Sequence, residues 1–136
     1  MNNNLVFART CVYNINYHVV WSVKYRKKIL TAEIEQQMKE WAAESAEKNG
    51  FTIHLFEVGE MDHVHCFVSA PPTKPITEIV KAMKGITGRR LFVYHPELKK
   101  QLWKGVVWNH SYYVETIGSI SQETIKKYIM RQEKSY

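Results

Sequence analysis

The chain has little of what a secreted, disulfide-bonded or membrane protein needs. None of its apolar runs approaches the roughly 18 residues that span a bilayer. Its first nine residues lack a basic region followed by an apolar stretch, so we expect no secretory signal and a cytoplasmic location. Two cysteines, Cys11 and Cys66, are too few for a disulfide framework or a zinc ribbon. Both lie in apolar, strand-like runs, which predicts buried free thiols.

No internal repeat, low-complexity segment or linker divides the sequence, so we expect residues 1–136 to form one domain. A hydrophobic content of 45% predicts a folded chain. The net charge of +6 favours a polyanionic partner. Basic residues concentrate in 24–28, 81–104 and 126–134, whereas acidic residues concentrate in 33–62. We therefore expect one part of the surface to be much more positive than the rest.

The hydrophobic pattern predicts an α+β fold. Strands are expected over residues 11–21, at Phe51, Ile53 and Leu55, and over 63–69 and 111–117. Helices are expected over 32–48, from Pro75 onward with Gly85 and Gly88 weakening the middle, and from a Ser119–Gln122 capping box to about Glu133. The order β-α-β-β-α-β is the ferredoxin-like or RRM-like pattern, an antiparallel sheet with two helices on one face. The other face stays open for a ligand or for the C-terminal helix.

Two histidines two residues apart lie in a run of β-formers, Asp62-His63-Val64-His65-Cys66-Phe67-Val68. Because successive strand side chains point to opposite faces, His63 and His65 share a face and lie roughly 7 Å apart along it. Both imidazoles can turn toward one metal ion, which would still need a third ligand from elsewhere. The pair can also be explained as surface histidines or hydrogen-bonded core residues.

The predicted C-terminal helix carries an amide within its apolar side. Ile125, Tyr128, Ile129 and Gln132 recur at helical spacing, and Tyr128 and Gln132 are neighbours one turn apart. Taken alone, Tyr128 is explained by packing. A buried Gln132 needs hydrogen-bond partners, and its carbonyl oxygen would be satisfied as a metal ligand. Basic residues surround the tyrosine and would hold phosphates, namely Lys126, Lys127, Arg131 and Lys134.

Taken together, these features resemble one family, the single-tyrosine HUH transposases that move bacterial insertion sequences as single-stranded DNA. The resemblance covers nearly the whole chain in the family's order, with no departure at the catalytic positions. The compact length fits the insertion-sequence enzymes better than their longer domesticated relatives. The matching segments are Tyr17 to Arg26, Asp62 to His65, Lys84-Gly85 with Arg89-Arg90, Leu102-Trp103, Trp108-Asn109, and Lys127 to Ile129 with Gln132.

The resemblance implies an enzyme that cleaves and rejoins single-stranded DNA with hairpin ends. Tyr128, on the C-terminal helix, would be the nucleophile and form a 5′-phosphotyrosine. His63, His65 and Gln132 would be the ligands of a divalent ion, Mg²⁺ or Mn²⁺. The family's members are homodimers in which the tyrosine helix of one subunit completes the metal site of the other. One phosphoester replaces another, so no nucleotide cofactor is needed, in agreement with the absence of a G-x-x-x-x-G-K-[ST] loop.

Binding of DNA would use the basic clusters for phosphates and an aromatic ring for base stacking. Tyr25, Trp103 and Trp108 are the candidates for stacking, but such aromatics are more often core residues, so none is assigned. Two alternatives stay open, a domesticated repeat-associated tyrosine transposase and a non-catalytic RRM-like nucleic-acid-binding module. A zinc deaminase would need H-x-E and P-C-x-x-C motifs that are missing. The predicted phosphate contacts are Lys24, Arg26, Lys27, Lys84, Arg89, Arg90, Lys126, Lys127 and Arg131.

Overall fold

The structure, a computed structural model, describes residues 5–121 and 123–128, except for the side chain of Trp103. Its strands are β1 Val6–Phe7, β2 Val12–Tyr13, β3 Asn16–Ser22, β4 Thr52–Gly59, β5 His63–Ser69 and β6 Tyr113–Ile117. Its long helices are α1 Ala32–Asn49 and α2 Ile76–Tyr94. Short 3₁₀ turns cover Lys24–Arg26, Pro96–Lys100 and Trp103–Gly105. A last helix, here named the terminal helix, covers residues 123–128.

The main sheet has four antiparallel strands in the order β4-β5-β3-β6. This order and the two crossing helices confirm the predicted ferredoxin-like α+β fold. One face of the sheet packs against both helices, because alternate residues such as Val19, Trp21 and Val64 join Met38 and Met83 in the main core. The opposite face carries a smaller apolar cluster, on which the terminal helix lies. The sheet therefore separates a helical side from a second side, which we call the histidine side.

The ends of α1 follow the predicted capping chemistry. Thr31 precedes the helix, and its hydroxyl oxygen accepts a hydrogen bond of 3.3 Å from the backbone N–H of Ile34. Gly50 ends the helix in the left-handed region at φ +73°, where its N–H donates to the carbonyl of Ala46.

Among the described residues, no helix is long and apolar enough to cross a membrane.

Two predictions about strands are wrong in detail. The stretch 11–21 is not one strand, because Val12–Tyr13 pairs with Val6–Phe7 and only Asn16–Ser22 joins the main sheet. Cys11 is exposed on that outer hairpin, so only Cys66 is a buried thiol, and burial raises its pKa. A β-bulge between Ile53 and Leu55 sends their side chains to opposite faces, although strict alternation predicted one face.

The structure adds detail to one predicted helix and corrects the cap of another. The second helix continues through Gly85 and Gly88 to Tyr94, because packing compensates for the weak local propensity. The indole of Trp108 lies against Gly88, and its N–H donates to the carbonyl of Lys84 at 3.1 Å. The cap of the terminal helix is Ser121 rather than Ser119. The Ser121 hydroxyl oxygen accepts a hydrogen bond of 3.1 Å from the N–H of Thr124.

Candidate active site

Strand β5 places His63 and His65 on the histidine side of the sheet, as the alternation predicts. In the register with β3, His63 lies opposite Ser22 and His65 lies opposite Val20. Val64 points the other way and is fully buried in the main core. The two imidazole rings have centroids 4.8 Å apart at an angle of 72°. Both rings are therefore held close together on one face by the strand itself.

Asp62 holds the ring of His63. The two residues bring Oδ1 of Asp62 and Nδ1 of His63 to 2.7 Å, within a largely buried environment. Because an ionised carboxylate only accepts, Nδ1 of His63 carries the proton and the ring lone pair lies on Nε2. Burial opposes ionisation of Asp62, but the hydrogen bonds from His63 and Arg26 and the charges of Arg26 and Lys28 outweigh it and lower its pKa.

His65 is in contact with a third histidine. Its Nδ1 lies 3.2 Å from Nε2 of His18, and Nδ1 of His18 lies 3.1 Å from a carboxylate oxygen of Glu115. Burial, and then the proximity of His63 and His18, lowers the pKa of His65 to about 3. His65 is therefore a neutral imidazole at physiological pH, the form in which histidine binds metals.

The terminal helix brings Tyr128 onto this group of rings. The centroid of the Tyr128 ring lies 5.2 Å from that of His65, 5.4 Å from that of His18 and 5.1 Å from that of Phe67. The helix is anchored by an apolar cluster built from Leu55, Phe67 and Ile120, with Ile117 and Ile125 packed against it. One chain thus places its own tyrosine beside its own histidine pair.

A cavity of about 450 Å³ opens beside the histidine pair, lined by residues of β3, β5 and the start of β6. Arg26 reaches its wall, with Nε 3.2 Å from Oδ2 of Asp62. Tyr112, Tyr113 and Ser111 form another part of the wall. The cavity therefore combines one guanidinium, hydroxyl groups and the two imidazoles, a set of groups suited to a phosphodiester.

The described residues supply two of the three predicted metal ligands, His63 and His65, and Gln132 lies outside them. Among the described residues, no three His, Cys, Asp or Glu side chains converge in a way that would hold a metal ion. His18 does not complete the set, because its Nε2 faces His65 rather than a common centre. The two imidazoles are of a kind that fits a divalent ion, and the described residues supply no third His, Cys, Asp or Glu ligand beside them.

The predicted phosphate contacts divide between the two sides of the sheet. Arg26 lines the cavity beside the histidines, and Lys126 and Lys127 are exposed on the terminal helix. Arg89 and Arg90 instead line a groove of about 350 Å³ between α1 and α2 on the helical side, where Arg90 pairs with Glu44. Arg131 lies outside the described residues. Lys24 and Lys27, at the 3₁₀ turn after β3, are not among the described residues that line the histidine cavity.

Lys84 and the candidate stacking residues have separate roles. The Lys84 ammonium is half-buried and donates a hydrogen bond of 2.6 Å to the carbonyl of Asn109. Burial lowers the pKa of Lys84. Trp108 is 6% exposed and belongs to the main core, which favours a core role for this candidate over stacking on a base. Tyr25 is 64% exposed, which keeps it available for stacking. The side chain of Trp103 is outside the described part of the chain.

Sequence reasoning missed His18 and Glu115 and gave Asp62 no role at the site. A signal for His18 existed, because it alternates with Val19 and Trp21 and so had to lie on the face away from the core. The contact with His65 depends on the β3–β5 register, in which His18 pairs with Phe67 and sits diagonally from His65. Glu115 faces His18 directly across the β3–β6 pair.

Comparison with known proteins places this chain in a family. Residues 11–132 match the transposases described as IS200-like. The chain is 41% identical over 125 residues to the ISDra2 transposase TnpA of Deinococcus radiodurans, with 92% of this chain and 89% of the relative covered. It is 26% identical to the transposase for insertion sequence element IS200 of Salmonella typhimurium, covering 88% and 78% of the two chains.

Comparison with solved structures agrees with the sequence matches. A crystal structure described as that of a transposase from Deinococcus radiodurans superposes with a TM-score of 0.76 at 36% identity, over 93% of this chain and 97% of that one. A REP-associated tyrosine transposase, solved with a REP hairpin, shares the fold at a TM-score of 0.57 and 12% identity, covering 91% and 67% of the two chains. The family match over most of the sequence and the identity to the Deinococcus relative together show that the chain belongs to the IS200-like transposases.

Proposed function

We propose that this transposase cleaves and rejoins single-stranded DNA at insertion-sequence ends through a covalent 5′-phosphotyrosine at Tyr128. The observation that carries the proposal is the position of Tyr128, whose ring lies 5.2 Å from that of His65 on the histidine side. A tyrosine with only a packing role would not need the imidazoles of His18 and His65 against its ring. Family membership supports DNA cleavage and strand transfer as the reaction class.

The chemistry is a transesterification. The phenolic oxygen of Tyr128 forms a bond to phosphorus as the bond from phosphorus to the 3′ oxygen breaks. The proton lost by the phenol balances the proton gained by the leaving 3′ oxygen, so the products are a tyrosyl 5′-phosphodiester and a free 3′-OH. The number of phosphoester bonds is unchanged, and a 3′-OH can later reverse the step. No oxidant, reductant or nucleotide enters the balance.

Within this proposal, His63, His65 and Gln132 hold a divalent ion, Mg²⁺ or Mn²⁺. Asp62 supports it by orienting His63, and the depressed pKa of His65 supports it by keeping that ring neutral. When bound, such an ion polarises the scissile phosphate and favours the phenolate form of a nearby tyrosine. Arg26, in the wall of the same cavity, would contact a phosphate oxygen next to the reacting one.

The substrate we propose is a single strand with hairpin ends, bound by a homodimer whose active sites are shared between subunits. The distant structural neighbour was solved with a REP hairpin, which is compatible with a folded strand as ligand. Exposed cations on the terminal helix would bind phosphates close to Tyr128. A domesticated, repeat-associated role is the weaker alternative, because the 41% identical relative is an insertion-sequence transposase.

Cleavage of a labelled single strand carrying an imperfect hairpin tests the metal part of the proposal. We expect cleavage with Mg²⁺ or Mn²⁺ and none in EDTA. His63→Ala and His65→Ala should each lower the rate at least about 100-fold while circular dichroism and the melting temperature stay near wild type, because removing a metal ligand removes its catalysis. His54→Ala is the matched control, since His54 is a strand histidine bonded to Ser69 away from the site. Cleavage at the wild-type rate in EDTA would reject the metal.

A further inference from the structure

His18 and Glu115 form a relay that ends on His65. The central strand β3 carries His18, and its two neighbours supply the partners, Glu115 from β6 and His65 from β5. The relevant distances are 3.1 Å from Glu115 Oε1 to His18 Nδ1 and 3.2 Å from His18 Nε2 to His65 Nδ1. Three side chains from three adjacent strands are thus in line, an arrangement that does not follow from the H-x-H motif.

The chain of contacts has one consistent direction when both imidazoles are neutral. The Glu115 carboxylate can only accept a hydrogen bond, so Nδ1 of His18 carries a proton and donates a hydrogen bond to it. Nε2 of His18 then has the lone pair and accepts from Nδ1–H of His65. The remaining lone pair of His65 consequently lies on its Nε2. Asp62 fixes His63 in the same tautomer, so both candidate ligands present Nε2.

The surroundings keep the relay in place. The rings of His18 and His65 are nearly parallel, with centroids 5.5 Å apart and an interplanar angle of 18°. Phe67 packs edge-on to His18 at 5.1 Å, and the Tyr128 ring lies 5.4 Å from that of His18. The side chain of His18 is 14% exposed, so water competes little for its nitrogens. Rotation of the His18 ring would disturb both hydrogen bonds, whereas rotation of the His65 ring would disturb only the bond between the two histidines.

We propose that Glu115 and His18 are positioning residues that hold His65 in the Nδ1–H tautomer and so present its Nε2 to the divalent ion. This inference rests on the proposed function for the identity of the ion. Carboxylate partners of metal-binding histidines fix the ring orientation in the same way, and losing them costs about 10- to 100-fold in metal affinity. Here the carboxylate acts through an intervening imidazole, which extends the same control across one more strand.

Two variants separate the hydrogen bond from the shape of the ring. His18→Phe keeps an aromatic ring among those of His65, Phe67 and Tyr128 but offers His65 no hydrogen-bond acceptor. His18→Gln places an amide oxygen near the former Nε2 and keeps an acceptor. His54→Phe is the matched control on the edge strand β4, where the histidine bonds to Ser69 at 2.7 Å and not to the site. Circular dichroism of each variant checks that the fold is retained.

The first measurement needs no metal. Imidazole ¹⁵N–¹H correlation spectra of the full chain report which nitrogen of His65 carries the proton. We expect the Nδ1–H tautomer in the wild type, in His54→Phe and in His18→Gln, and its loss in His18→Phe. An unchanged His65 tautomer in folded His18→Phe would overturn the relay.

The second measurement is Mn²⁺ binding, followed by the free-ion signal in electron paramagnetic resonance. We expect His18→Phe to weaken binding at least about tenfold and His18→Gln to restore most of it. Equal Mn²⁺ affinity in His18→Phe and the wild type would overturn the role toward the ion. A third outcome is that the His65 tautomer changes with substitutions at His18 while the wild-type protein binds no Mn²⁺. This outcome would confirm that His18 controls the tautomer of His65 and would reject the metal of the proposed function.

Discussion

Asp62 is the residue at which the charges around the histidine pair meet. It is 3% exposed, yet it stays ionised because His63, Arg26 and Lys28 all direct donors at its two oxygens. The two cationic side chains are more than half exposed, so their ion pairs contribute little to stability. The role that remains for the buried carboxylate is orientation of His63.

We expect Asp62→Asn to weaken Mn²⁺ binding by about 10- to 100-fold, because one neutral amide oxygen replaces two charged acceptors. Titration followed by electron paramagnetic resonance measures the affinity. Glu44→Gln is the matched control, since it also removes a carboxylate paired with an arginine, Arg90, but on the helical side. An equal loss of affinity in both variants, or in neither, would contradict the assigned role of Asp62.

At the scale of single residues, the sequence predicts which face a side chain takes better than it predicts what that side chain touches. His63 and His65 share a face because β-strands alternate, which needs no knowledge of partners. The contact of His18 with His65 depends on strand register, which alternation leaves open. Cys11 was expected to be buried from its apolar neighbours, but those neighbours belong to a separate exposed hairpin.

The terminal helix is the element whose placement decides how the site is assembled. In one chain it packs on its own sheet, with Ile120 and Ile125 in the apolar cluster. The carbonyl of Gly118, at the end of β6, accepts a hydrogen bond of 2.8 Å from Asn14. Only Gly118 and Ser119 separate that strand from buried Ile120. Exchange of the helix between subunits would have to redirect the chain within residues 118–122, which connect β6 to the helix.

Mixing two inactive proteins tests the exchange. One carries Tyr128→Phe, and the other, made longer by a tag, carries His63→Ala and His65→Ala. If the helices are exchanged, one site of each heterodimer combines intact parts, and an equimolar mixture recovers about a quarter of the wild-type activity. The adduct should form on the tagged chain, which holds the intact tyrosine.

The control for this mixture is Tyr128→Phe combined with a chain carrying all three substitutions, which has no intact tyrosine and stays inactive. If each subunit builds its own site, every site in the test mixture keeps a defect and the mixture also stays inactive. That result would assign the cis arrangement seen in the single chain to the working enzyme.

Elements were predicted well where pattern alone decides them, and less well where packing intervenes. The Thr31 cap and the apolar side of α1 follow from local chemistry. Helix α2 runs through two glycines because Trp108 packs beside Gly88, a contact between residues far apart in the chain. The bulge in β4 has no glycine or proline to signal it, and it moves Leu55 to the histidine side, where it supports the terminal helix.

At the scale of the whole molecule, the sheet divides the chemistry from the bulk of the fold. The order of elements was enough to predict this division, because a split β-α-β pattern leaves one sheet face without helices. The distribution of charge was not predictable to the same degree. Arg26 and Arg90 both belong to basic segments, yet they lie at the histidine cavity and in the groove between α1 and α2. Only tertiary structure assigns a cation to one side.

Capture of the covalent intermediate on single-stranded hairpin DNA tests most directly whether Tyr128 is the nucleophile. With wild-type protein and Mg²⁺, a strand labelled at its 3′ end should move with the protein on a denaturing gel, while a 5′-end label stays on a free fragment ending in 3′-OH. Tyr128→Phe should bind the DNA but give no adduct, and Tyr94→Phe, a tyrosine on the helical side, should give the wild-type amount. Mass spectrometry should locate the nucleotide on Tyr128. An adduct of wild-type yield in Tyr128→Phe, or one mapped to another residue, would show that Tyr128 is not the nucleophile.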